Sequence, residues 1–263
     1  MKLEKKFSIR TDASNDIGFG HVMRCLTLAK ALIHVGAYVE FITRSHEGNL
    51  IKYIERKGIR VHTIDNSEIS TSMKYEDQYA SWLKVTQKRD AEDTIKVLSN
   101  SRPHWLIVDH YSLDELWEKK IHPFVEKIMV IDDLANRKHH CNLLLDMTVN
   151  RSKGDYYLKT IADCNILVGA KYSLLRKQFK LARSAALLRR KNTTDVNRIL
   201  VSLGGHDALN MTSWVLKIIE TANIDSEIVL DVIIDSENHQ VDSIKKHIGI
   251  SRNKILLHHN VEN

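Results

Sequence analysis

Short apolar runs alternate with stretches of helical periodicity along the first half of the chain. The runs at residues 7–10, 38–43, 61–64, 105–109, 128–131, 143–145 and 166–168 are rich in Ile, Val and Leu. Strands covered on both faces of a parallel sheet have this character. Between them, helical spacing falls at residues 21–35, 49–57, 76–99, 114–127 and 156–160. Gly36 and Gly58 each follow a periodic run, where a left-handed helix stop takes glycine, and Pro123 is expected to break or kink the fourth helix. Repeated strand–helix–strand units predict a doubly wound α/β domain.

From residue 174 to 190 the pattern becomes one long charged helix, with Leu174, Leu175, Phe179, Ala182, Ala186 and Leu187 on roughly one face. Asn192-Thr193-Thr194-Asp195 forms a polar break. The pattern then restarts, with strands at 198–203, 228–233 and 255–257 and helices at 211–221 and 240–247. The expected organisation is a first α/β domain over residues 1–190, including the long helix, and a partial second one over 195–263. A domain of this kind usually runs to roughly 100–150 residues, so the second is expected to be incomplete. Its exposed sheet edge predicts self-association.

Composition narrows the class. Hydrophobic residues make up 43% of the 263 and charged residues 27%, ordinary for a globular protein. No apolar run approaches the roughly 18 residues that a membrane helix needs, which predicts no membrane insertion. The start lacks a continuous apolar stretch and carries Glu4, unlike a signal peptide. Cys25, Cys141 and Cys164 are too few and scattered for a disulfide framework, and a cytoplasmic setting is expected. The formal charge of +6, beside fourteen histidines, suits an anionic ligand. A nucleic-acid reader would carry a dense basic stripe with aromatics. The basic cluster between Arg183 and Lys191 has none and reads as a solvated helix end, so no nucleic-acid partner is expected.

The densest chemical signal lies between the first strand and first helix: Arg10-Thr11-Asp12-Ala13-Ser14, then Gly18-Phe19-Gly20-His21-Val22-Met23-Arg24-Cys25. Ligands of open α/β sheets bind there, at the carboxyl ends of strands. Gly18 and Gly20 allow a tight turn and close backbone approach. The amino end of the following helix disfavours imidazolium, so it favours a neutral His21 able to take a proton from water. Arg24 lies one turn on, placed to hold a phosphate or orient a carboxylate. Asp12 is placed to orient the imidazole or bind a sugar hydroxyl. By itself the Gly-x-Gly-His run reads equally as a tight turn with a histidine cap. Met23 stands where a dinucleotide fingerprint needs its third glycine, and the Gly-Lys-Ser/Thr of a P-loop is missing.

Read together, these residues with Leu28-Ala29 resemble the family of UDP-2,4-diacetamido-2,4,6-trideoxy-β-L-altropyranose hydrolases of pseudaminic acid biosynthesis. Later blocks resemble it in the same order. They are Val108-Asp109-His110-Tyr111, Ile131-Asp132-Asp133-Leu134-Ala135-Asn136-Arg137, His140-Cys141-Asn142 through Asp146, Gly169-Ala170-Lys171-Tyr172-Ser173-Leu174-Leu175-Arg176 with Phe179, and Leu203-Gly204-Gly205-His206-Asp207 with Asn210. His206 departs from the threonine more usual there, and the family's later Gly-Gly-Ser-like turn and Trp-Glu pair have no counterpart. The resemblance implies a GT-B-like α/β fold, two doubly wound parallel-sheet domains facing a cleft. It places the catalytic base on His21 and implies water attack at the anomeric carbon, inversion and departure of UDP, with no cofactor or metal. Arg24, helix amino ends and the Gly204-Gly205 turn are expected to balance the diphosphate.

Asp109 and Tyr111 are expected to touch substrate at the same sheet edge, with His110 packing on the other side. Asn150, Tyr172, Arg176 and Asp207 are family-matched candidates for substrate contact, though from the residues alone each reads equally as packing or surface. Asp132-Asp133 is expected to start or cap a loop, because neighbouring side chains diverge. His139-His140-Cys141 is expected to be loop structure, since no second pair lies at zinc-site spacing. Trp82 and Trp117 are expected on amphipathic core helices. Two further functions remain open: an inverting GT-B glycosyltransferase with a UDP-sugar donor, and a truncated, non-catalytic nucleotide-sugar binding module.

Overall fold

The computed structural model describes residues 5–65, 79–193, 195–204, 207, 209–222, 224–235, 238, 241–259 and 261. It divides into two compact units, Met1–Leu175 and Arg176–Asn263. That division falls before the long charged helix, whereas the sequence pattern set it after. The helix, α5 (Lys177–Lys191), has no buried residue.

In the first unit, β1 (Lys6–Thr11), β2 (Tyr38–Arg44), β3 (Arg60–Ile64), β4 (Trp105–Asp109), β5 (Lys127–Ile131), β6 (Leu143–Asp146) and β7 (Asn165–Val168) form one sheet. Its order is β3-β2-β1-β4-β5-β6-β7 and every pairing is parallel. Strand direction of growth reverses between β1 and β4. The crevice at that switch point is where such sheets take ligands.

Alternation along the strands sends side chains into two layers. Leu106 and Val108 pack with Ala91 and Leu98 of α3 (Gln87–Ser101) and with Trp117 and Ile121 of α4 (Glu115–Ile121). Ile107 between them packs with Ile9, Phe41 and the Val22, Cys25, Leu26 and Ala29 face of α1 (Gly20–His34), beside Ile54 of α2 (Ile51–Arg56). Each fully buried aliphatic side chain contributes about 1.5–3 kcal/mol. Gly36 (φ 85) and Gly58 (φ 77) stop α1 and α2 in the left-handed region, as the pattern predicted.

Three expected helices are shorter. Of 76–99, residues 76–78 lie outside the described residues. Ala80–Leu83 is a 3-10 turn, and α3 starts afresh because extended Thr86 caps it, its hydroxyl accepting from Arg89 N. At 114–127, Pro123 sits in a 3-10 turn over His122–Phe124, Val125 is extended, and β5 has begun by Lys127. At 156–160 the chain instead forms a 3-10 turn over Lys153–Tyr156, held by a Ser152–Asp155 capping box.

The second unit carries β8 (Arg198–Ser202), β9 (Val229–Ile234) and β10 (Ile255–His259), parallel in the order β10-β9-β8. Leu216 of α6 (Met211–Thr221) and Ile244 of α7 (Val241–Ile250) pack with Val201, Leu230 and Val232. Among the described residues, no helix of either unit is long and apolar enough to cross a membrane.

Beside α4 lies a buried charge cluster. His139 Nδ1 is 2.7 Å from Glu118 Oε1, and its Nε2 is 3.8 Å from Asp132 Oδ2, with all three side chains fully buried. Burial disfavours the imidazolium, but Asp132 and Glu118 outweigh it and push the His139 pKa up to about 9. A raised histidine adds stability that is complete below its unfolded value near 6.5 and is lost as pH rises through the folded value. The native state is therefore expected to lose about 3 kcal/mol between roughly pH 6.5 and 9 from this group. Urea unfolding of the protein and of His139→Gln across that range checks it: the gap between them should narrow as pH rises, and a constant gap contradicts the assignment.

Candidate active site

His21, Arg24 and Cys25 lie one turn apart on a single face of α1, which faces the carboxyl end of β4. Asp109, the last residue of β4, is fully buried and receives all three. His21 Nδ1 lies 2.6 Å from Asp109 Oδ1. Arg24 grips the same carboxylate through Nε to Oδ2 and Nη2 to Oδ1, both at 2.6 Å. Cys25 Sγ stands 3.4 Å from Oδ2. Burial alone would raise the Asp109 pKa, but His21 and Arg24 hold it well below the usual carboxylate value. A carboxylate can only accept, so Nδ1 carries the proton toward it and Nε2 keeps its lone pair when the ring is neutral.

Arg24 also donates from Nη1 to Asp133 Oδ2. The same Asp133 oxygen accepts from the Tyr111 hydroxyl at 2.8 Å. Burial first, then the Asp133 charge, push the Tyr111 phenol well above its ordinary value, keeping it a neutral donor. The Tyr111 ring stands edge-on to His21 at 4.5 Å between centroids. Trp82 lies 5.9 Å from His21 and stacks on Tyr111 at 5.6 Å, with Tyr79 closing the cluster. The imidazole is thus walled by aromatics on one side and fixed by a carboxylate on another, with 8% of His21 exposed.

The structure thereby brings together four of the residues expected from sequence: His21, Arg24, Asp109 and Tyr111. Gly18 (φ 76) and Gly20 lead into α1. One expectation needs correction: Asp109, not Asp12, stands against the imidazole. Of the two roles expected for Arg24, the structure shows the carboxylate contact, to Asp109 and Asp133.

Arg10 and Asp12 are not at the site surface at all. Both are fully buried, Arg10 pairing with Asp12 at 2.5 Å and with Asp90 at 2.6 Å. Asp12 also accepts from Arg44 N at 2.7 Å and Thr43 Oγ1 at 3.1 Å, and His110 Nε2 lies 3.2 Å from it. Arg44 reaches Asp90 at 2.9 Å, and Trp117 Nε1 donates to Asp90. This network links β1, β2, α3 and α4 and holds Asp12 fully buried, away from any bound sugar's hydroxyls.

Asn150 (φ 66) is exposed in the loop after β6, farther along the same sheet edge. Tyr172 follows β7 in a 3-10 turn and packs partly against the α1-side core. In the second unit, Arg176 precedes α5 with its guanidinium 5.5 Å from the Phe179 ring centre. Gly204 (φ 92) is exposed after β8. The Asp207 carboxylate accepts from Met211 N and Thr212 N, each at 2.9 Å. It therefore caps α6 and fills the helix end that an anionic ligand would need. Gly205 lies outside the described residues.

Sequence reasoning missed Asp133, Trp82 and Tyr79 as site residues. Asp133 was legible in part. Its neighbour Asp132 turns inward and caps the following turn through Ala135 N, so a diverging side chain had to face the strand-end crevice. Trp82 was expected in a core helix, but half-buried in its 3-10 turn it lines the site instead.

No family model matches the chain. It is 28% identical over 98% of its length to an uncharacterized protein of Methanocaldococcus jannaschii. Over 97% of its length it is 25% identical to the UDP-2,4-diacetamido-2,4,6-trideoxy-beta-L-altropyranose hydrolase of Campylobacter jejuni. The chain spans 49% of the first relative and 78% of the second. Among solved structures it resembles Acinetobacter baumannii MurG, with a TM-score of 0.57 at 9% identity, covering 99% of this chain and 69% of that one. The α/β fold with parallel sheets, of the GT-B kind, accords with that likeness.

Two outcomes are expected from this geometry. In long-range proton–nitrogen NMR, neutral His21 should be protonated at Nδ1, and Asp109→Asn should shift the population toward Nε2–H. An unchanged tautomer would remove Asp109 from the role. Asp109→Ala leaves the mostly buried Arg24 with Asp133 as its carboxylate partner and removes the partner of His21, and is expected to cost about 3 kcal/mol in denaturant unfolding.

Proposed function

We propose that this chain hydrolyses a UDP-linked amino sugar, with His21 as the general base. The observation that carries the proposal is the His21–Asp109 contact at the switch point of the sheet, which commits Nδ1 and leaves Nε2 free to accept a proton. Water bound at Nε2 gives up its proton to the imidazole as its oxygen attacks the anomeric carbon. The bond to the diphosphate oxygen breaks, UDP leaves, and the free sugar appears with inverted configuration.

The Campylobacter jejuni relative supports the choice of substrate, UDP-2,4-diacetamido-2,4,6-trideoxy-β-L-altropyranose. A place in pseudaminic acid biosynthesis and a cytoplasmic setting are part of the same proposal and rest on the family resemblance of the sequence blocks. The amino end of α1, uncapped by any side chain and without an acidic residue in its first turn, favours a negatively charged ligand beside His21. Tyr111 and Trp82 offer apolar faces on which a deoxy sugar and its acetamido methyl groups can rest. The proposal gives nucleotide binding to the second unit, where the Gly204 turn follows β8.

General-base catalysis of this kind supplies roughly 10²–10⁴-fold of rate. Phosphorus and proton NMR of the protein with that substrate, and no added acceptor, should show UDP and inverted free sugar. His21→Ala should slow their appearance by a factor within that range. Equal turnover by the two proteins would exclude His21 as the base. Turnover by wild type only after an acceptor alcohol is added would replace hydrolysis with glycosyl transfer, and UDP-sugar binding without turnover would leave a binding module.

A further inference from the structure

Two of the three cysteines meet far from His21, at the opposite edge of the sheet. Cys141 precedes β6 and Cys164 precedes β7, and their sulfurs are 3.7 Å apart. Backbone pairing fixes the approach: Asn165 N donates to Asn142 O at 2.9 Å, directly beside both cysteines. Neither cysteine lies in a strand, so closing the gap to the roughly 2.05 Å of a disulfide does not disturb the ladder. Cys141 is 1% exposed, while Cys164 is partly open to solvent. Adjacent sulfurs, one accessible and one shielded, are the arrangement of an attacking and a resolving thiol.

We propose that Cys141 and Cys164 form an oxidisable dithiol, a modification site that closes an intramolecular disulfide on exposure to hydroperoxide. Cys164 is the attacking group. Its thiolate is favoured first by the hydrogen bond from Cys141 and further by the positive charge on His139, against burial and the Glu118 charge. Cys141 stays protonated because of its contact with Cys164 and its burial. The thiolate sulfur of Cys164 attacks the terminal peroxide oxygen, the O–O bond breaks, and alcohol or water leaves, giving a sulfenic acid. Cys141 sulfur then displaces that hydroxyl as water, losing its own proton. Two thiols are oxidised and one hydroperoxide is reduced, with no other reactant.

The bridge would close the loop that carries Asp146, Arg151 and Tyr156. Arg151 pairs with Asp146 at 2.6 Å and donates to Asp133 O at 2.8 Å. Oxidation therefore ties down the support beneath the carboxylate that holds Arg24 and Tyr111. The dithiol does not depend on the proposed hydrolysis, and its chemistry is read without substrate.

The test treats the whole protein with stoichiometric hydrogen peroxide, followed by intact-mass and tryptic analysis. Wild type is expected to lose about 2 Da and to yield peptide 139–151 linked to peptide 160–171, with Cys25 still alkylatable. The thermal midpoint should rise and return with dithiothreitol. Cys141→Ser should stop at a Cys164 sulfenic acid trapped by dimedone, and Cys164→Ser should remain reduced. Wild type that keeps all three thiols, or links only between molecules, overturns the proposal, as does dimedone labelling of Cys141 in Cys164→Ser at the rate seen for Cys164.

Discussion

A buried carboxylate at the end of β4 sets the terms for everything around it. Asp109 is fully shielded from water, and an ionised group there is tolerable only if donors surround it. Among the described residues its side-chain donors come from one face of α1, from His21, Arg24 and Cys25. The contact thus fixes how α1 sits on the sheet, which ring nitrogen of His21 is engaged, and where Arg24 can reach. Arg24 in turn bridges to Asp133, which holds Tyr111. Helix, strand ends and aromatic wall form one electrostatic chain anchored on a single oxygen pair.

Adjacent residues at the same strand end serve different ends because strand side chains alternate. Asp109 turns toward α1 and the crevice, while His110 turns toward Asp12. On that second side, Arg10, Arg44, Asp12 and Asp90 balance each other's charge with little exposure. Asp12 and Asp90 are held below ordinary carboxylate values, against burial, chiefly by Arg10. The network ties the α3 side of the sheet together, and the site is built on the α1 side. Asp132 and Asp133 divide in the same way, the first joined to Arg137, His139 and Tyr156, the second facing Arg24.

The strand–helix alternation and the placing of His21 and Arg24 at the start of α1, at the carboxyl end of the sheet, were legible in sequence, because each depends on local spacing. All of the expected strands appear, from 7–10 in β1 to 255–257 in β10. Helix ends were less legible. A single capping hydroxyl at Thr86 overrode apolar periodicity that ran through it, whereas the break at Pro123 was legible from the ring itself. The apolar stripe expected over 174–190 is shorter in the structure: Leu174 and Leu175 precede α5, and Phe179 and Leu187 within it stay exposed.

What sequence could not decide was pairing. From the residues, Asp12 is the carboxylate placed to orient His21, and Asp109 reads as a substrate contact. Asp12 is the nearer of the two in sequence, and the partner is Asp109, 88 residues away. Hydrophobic period determines which segments become strands and which faces they bury, since it depends only on residues a few positions apart. Which carboxylate reaches an imidazole depends on strand order, the pleat at each strand end and the tilt of α1. Those are fixed only when distant segments pack, so the elements belong to the sequence and the site's wiring to the tertiary structure.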